Sequence, residues 1–211
     1  MKEKNSETRR NSWIRSPATW LAVIATCVSL ATFYLVHANP GEVKYILPDR
    51  IGLEVDKPGA TVILILPITF SNSGAPRTFQ HVLRVTVQIV PGQKKEASES
   101  DPLLSWKYEH SFIHRLQYLK KYPNATDTGS ADYLDYVGQA FPFALAGGQS
   151  TTKIFEMRQI AGSMKNRSID IVTIFVSVQT EKSQSTTRSV YQCREGVTQE
   201  NVSWCEILES T

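Results

Sequence analysis

From Phe79 to Val90 the chain reads FQHVLRVTVQIV. Leu83, Val85, Val87 and Ile89 alternate with Arg84, Thr86 and Gln88, the period of two expected of a strand with one buried and one wet face. Thr61 to Phe70, TVILILPITF, is apolar at successive positions, as in a central strand covered on both faces. Pro67 cannot donate to a ladder, so it predicts a bulge or an edge position there. Ile169 to Thr180 is a further β-branched run, and Thr152–Met157 and Thr187–Cys193 read as shorter strands. Glu42 to Val55 supplies one or two more, broken at Pro48-Asp49-Arg50. Turn-forming residues punctuate these runs at Ser71–Gly74, Pro91-Gly92 and Ala146–Ser150.

One segment departs from this pattern. Ala18 to Val36 is an uncharged run of 19 residues, ATWLAVIATCVSLATFYLV. At ~1.5 Å per residue it gives about 28 Å of helix, close to the thickness of a bilayer's hydrocarbon core. The tail before it holds Lys2, Lys4, Arg9, Arg10 and Arg15 against Glu3 and Glu7. The chain has 23 basic and 20 acidic residues, so removing those five and two leaves 18 of each from Ala38 onward. Positive residues beside a membrane segment stay cytoplasmic, so residues 1–17 read as a cytoplasmic tail, 18–37 as the membrane helix and 38–211 as an outer domain. Trp13, Trp20 and Tyr34 flank the run as interfacial rings do. Val36-His37-Ala38 loosely fits a signal cleavage site, but the run exceeds a typical signal core and reads as an uncleaved anchor. A buried core helix is the third reading, and the lack of a polar stripe speaks against it.

Between Gln93 and Gly148 the strand pattern breaks, which predicts a long, partly helical insertion. Leu103–Tyr108 reads as a short strand. Phe112, Ile113, Leu116 and Leu119 recur at helical spacing, which predicts an amphipathic helix over 109–122 ended by Pro123. A tyrosine- and aspartate-rich stretch follows. Long connections are often functional, so Tyr118, Tyr122, Asp132, Tyr133 and Tyr136 form a candidate ligand-contact loop.

Thr69–Gln80, TFSNSGAPRTFQ, resembles the phenylalanine–asparagine–glycine turn of immunoglobulin-like and fibronectin-like modules in bacterial exported proteins. Pro142–Thr151, PFALAGGQST, is similar to the later segment of such modules, where glycine and serine precede a strand. The resemblance implies a mainly β fold, an immunoglobulin-like antiparallel β-sandwich outside the membrane. It implies no function, because such modules perform unrelated tasks.

The candidate chemistry is sparse. On the expected helix His110 and His114 would share one face beside Glu109, as ligands to one metal must. The zincin order is missing, and an exposed histidine pair is the plainer reading, so no metal or other cofactor is expected. Cys193 and Cys205 are the outer domain's two cysteines and predict a disulfide in an oxidising compartment. Cys27 reads as a small apolar residue of the membrane run. Asn124, Asn166 and Asn201 match the glycosylation acceptor pattern, which matters only in a eukaryotic secretory pathway. No nucleophile elbow, phosphate-binding glycine loop or Cys-x-x-Cys motif occurs. The charge-balanced outer part offers no footprint for nucleic acid. The expected protein is a non-catalytic envelope module, held in the bilayer through 18–36, with a protein or glycan partner. The alternative is an envelope enzyme or metal-binding protein built on His110, His114 and nearby acidic residues.

Overall fold

A computed structural model describes residues 17–56, 61–124, 132–160, 169–193 and 203–210. Helix α1 (Pro17–Phe33) runs into a π-helical turn at Tyr34–Ala38. Together they span 22 residues, none of them buried, long and apolar enough to cross a membrane. The strands that follow are β1 (Val43–Ile46), β2 (Arg50–Asp56), β3 (Thr61–Asn72), β4 (Phe79–Pro91) and β5 (Leu103–His114). After helix α2 (Arg115–Lys121) come β6 (Asp132–Gln139), β7 (Phe143–Ala146) and β8 (Ser150–Ile160). The last three are β9 (Ile171–Thr180), β10 (Gln184–Cys193) and β11 (Ser203–Ser210).

Eight of these strands close on themselves in the order β5-β8-β3-β2-β11-β10-β9-β4, every pairing antiparallel. The ring closes where β4 meets β5 through Thr86↔Ser105, Val87↔Leu104 and Gln88↔Leu103. This overturns the expected sandwich. Alternating patterns show that one face is buried, and both a sandwich and a barrel satisfy that. Only the β4–β5 junction, which turns two sheet edges into one seam, distinguishes them. The stretch 93–148 is likewise no simple insertion, because β5 is a stave of the barrel. β1, β6 and β7 flank the ring on β3, β5 and β4. Register shifts in β4 at Val82/Arg84 and in β5 at Trp106/Tyr108 bend these strands, as curvature requires.

The inward positions fill the barrel. Val62, Leu64, Leu66, Ile68 and Phe70 of β3 face Val85, Val87 and Ile89 of β4 and Val172, Ile174, Val176 and Val178 of β9, all buried in one core. Phe70 meets Phe143 and Phe155 edge to face at 5.2 and 6.2 Å, and Trp106 stands 5.1 Å from Phe155. A barrel of this strand number has an interior that side chains alone can fill. Pro67 sits between the part of β3 paired with β2 (61–65) and the part paired with β1 (69–72). That side of the strand is open at Pro67, so its missing N–H costs no ladder bond. Tyr191 is fully buried, and its hydroxyl donates to the Pro48 carbonyl at 2.8 Å. Burial pushes this phenol well above the ordinary tyrosine range.

Cys193 and Cys205 stand directly opposite each other on β10 and β11 and are joined by a disulfide, a bond typical of oxidising compartments. It ties β11 into the ring next to β2. Replacing both cysteines with alanine is expected to lower unfolding free energy by about 2–3 kcal/mol. Urea denaturation of the full chain in detergent, with and without reductant, measures this. Only the parent protein should respond to the reductant.

Candidate functional site

β5 pairs with β4 only through Leu103–Ser105; Trp106–His110 stay bonded to β8 and Tyr108–His114 carry β6, so β6 and the last residues of β5 form a flap at the margin of the ring. The expected helix over 109–122 is therefore corrected: strand continues to His114, and helix covers only Arg115–Lys121. The helical spacing of apolar residues lost to cross-strand pairing. Ser111, Phe112 and Ile113 pair with Asp135, Leu134 and Tyr133. His110 and His114 thus lie on an extended strand, about 13 Å of rise apart, and the shared helix face that would ligate one metal does not exist. Among the described residues no group of three or more metal-ligating side chains forms.

One face of the flap packs under α2. Tyr118 of α2 stacks on Tyr133 of β6 with ring centroids 4.4 Å apart and planes 10° from parallel. Tyr122 lies 4.9 Å from Tyr118. Asp135 accepts hydrogen bonds from the Lys121 ammonium and the Tyr122 hydroxyl, each at 2.7 Å. These bonds, with Lys121 foremost, hold the Asp135 carboxyl below the ordinary range, and the same bond raises the Lys121 amine. The candidate residues Tyr118, Tyr122 and Tyr133 are thereby brought together, with Tyr122 bonded to Asp135. Asp132 is placed at the start of β6, opposite His114.

The opposite face carries a second group. Tyr136 lies edge to face with Tyr108 at 5.7 Å and 6.0 Å from His110. Glu156 of β8, buried beneath them, accepts from His110 Nε2 at 2.7 Å and from Arg158 Nε. His110 Nδ1 is buried with no hydrogen-bond partner among the described residues. The His110 bond, reinforced by Arg158, holds Glu156 below its usual 4.5 against the opposing effect of burial. A carboxylate with a depressed folded value stabilises the fold above its unfolded value and loses that contribution as pH falls through the folded one. Glu156→Gln is therefore expected to flatten the acid limb of the stability–pH profile between about pH 5 and the folded value, as denaturation at several pH values would show. Superimposable profiles would mean that the pair contributes nothing.

Sequence reading missed Glu156 and Arg158, and it missed the Lys121 and Tyr122 hydrogen bonds that organise Asp135. Glu156 and Arg158 flank Met157 in an alternating strand, where polar outward residues look like ordinary wet positions. A separate shallow cleft of about 160 Å³ lies on the outer wall among Arg84, Thr86, Leu103, Ser177, Gln179 and Gln184. No protein family profile matches the chain, and no curated protein does.

Proposed function

We propose that this chain is a single-pass membrane protein, N-terminus inside, whose outer barrel serves as a non-catalytic binding or accessory module for another protein of the envelope. The observation that carries this reading is the flap. β6 is an edge strand, bonded to β5 on one side only among the described pairings, with Tyr136 and Val137 more than half exposed. An open edge of this kind accepts an added strand from a partner through main-chain hydrogen bonds. The packed interior supports a role for the outer surface in place of a carrier role. The basic tail and the disulfide support the orientation. The alternative, an enzyme or metal protein using His110 and His114, loses the shared face that suggested it.

A photo-crosslinking residue at Val137 in the full chain, activated in intact cells, tests the reading. The expected result is one defined protein adduct, weakened by Tyr133→Ala, with no such adduct from the same residue at Glu99 in the loop after β4. Identical products from both positions would contradict it. A glycan partner is the second reading, favoured by the cleft of guanidinium, hydroxyl and amide groups around Arg84. Retention on immobilised polysaccharide that is lost in Arg84→Ala would support that one.

A further inference from the structure

The residues after α1 are strapped onto one end of the barrel. The Asn39 carbonyl accepts from Ala75 N–H at 2.8 Å and from the Thr78 hydroxyl at 3.0 Å, and the Pro40 carbonyl accepts from the Gln80 amide at 3.2 Å. Asn72, buried, donates to the Leu145 carbonyl and accepts from Gly74 N–H. The helix thus reaches the barrel with no slack chain between them. Asn39 follows Val36, the end of the apolar run, by three residues. With the run in a bilayer, the strap lies at the headgroup layer.

Register places α2 at that same end. Ser71 pairs with Ser150, and Ile154 pairs with both Pro67 and His110. Moving four residues along each antiparallel strand, from Ile154 to Ser150 and from His110 to His114, arrives level with Ser71. α2 begins at the next residue. β5 is two strands from β3 in the ring, about 10 Å sideways at ordinary strand spacing. Tyr118, Lys121 and Tyr122 face inward to Tyr133 and Asp135. Leu116 and Lys120, four apart on the helix, are both exposed, Leu116 at 71%. Phe112 near the end of β5 and Phe79 beside Thr78 are exposed at 55% and 59%.

We propose that this end of the barrel rests on the lipid surface. Phe79, Phe112 and Leu116 sit at the boundary between headgroups and acyl chains, and Lys120 meets headgroup phosphates. The inference depends on the reading that residues 18–36 span the bilayer, and the test separates the two. The full chain with Cys27→Ser carries single cysteines in place of Val28 in the helix, Arg77 beside the strap, Gln117 on α2, or Glu99 in the loop at the opposite end. Each is labelled with an environment-sensitive fluorophore and reconstituted into phosphatidylcholine–phosphatidylglycerol vesicles with brominated acyl chains. Quenching is expected to be strong at position 28 and several-fold stronger at 77 and 117 than at 99. Quenching at 28 with 77 and 117 no different from 99 would overturn the proposal and leave the membrane span intact. No quenching at 28 would overturn the span and the proposal with it.

Discussion

Phe70→Ala is expected to destabilise the barrel by about 3–5 kcal/mol, the range for emptying a buried aromatic site. Phe70 has no exposed surface and joins the rings of Tyr45, Phe143 and Phe155. These rings belong to β1, β7 and β8, so one side chain holds three strands to β3. Domains are commonly stable by only about 5–15 kcal/mol, so the variant would lose a large share of its folded population at moderate denaturant. Chemical denaturation followed by tryptophan fluorescence measures the loss, since Trp106 packs on Phe155. A cost below about 1 kcal/mol would mean that the core is not packed as described.

Gly147→Ala should be comparably damaging for a different reason. A Cβ there would stand 1.9 Å from the Ala75 carbonyl oxygen and 2.6 Å from the Gly74 carbonyl carbon. Both are backbone atoms of the turn that holds Asn39, so no side-chain rotation relieves the clash. The expected cost is about 3 kcal/mol or more, with the strap opened. Two other glycines calibrate the result. Gly92 has a φ of 83° but open space around it, so its alanine variant should cost only about 1–2 kcal/mol of left-handed strain. Gly138 has open space and no positive φ, so Gly138→Ala should change stability by less than about 0.5 kcal/mol. Equal effects at 138 and 147 would contradict the strap.

The strands of the barrel wall were legible as alternating or continuous apolar runs, although β3 buries chiefly one face and not the two that its continuous run predicts. Leu83 to Ile89 and Thr61 to Phe70 lie in β4 and β3, and the β-branched run from Ile169 covers β9. Closure was not legible, because it rests on a seam between Thr86–Gln88 and Leu103–Ser105 that no local pattern encodes. The phenylalanine–asparagine–glycine turn ending at Gly74 suggested an immunoglobulin-like module. Its physical role here is close backbone approach: Gly41, Gly74 and Gly147 let the segments of the strap touch. β11 escaped notice because Trp204, Cys205 and Glu206 alternate over too short a run to stand out. At the candidate site, the tyrosine and aspartate composition drew attention to the flap. The partners that organise it, Lys121 for Asp135 and Glu156 for His110, depend on α2 folding back and on β8 pairing with β5. Those are tertiary events, and spacing along the chain does not report them.

The central claim, a membrane anchor with the barrel outside, is tested most directly by thiol accessibility in intact cells. The full chain with Cys27→Ser leaves Cys193 and Cys205 locked in their disulfide, so a single added cysteine is the only reactive thiol. One variant carries it at Glu99 and another at Ser6 in the basic tail. A membrane-impermeant maleimide should label position 99 in intact cells and position 6 only after permeabilisation. Labelling of position 6 alone, or of both positions alike in intact cells, would contradict the account.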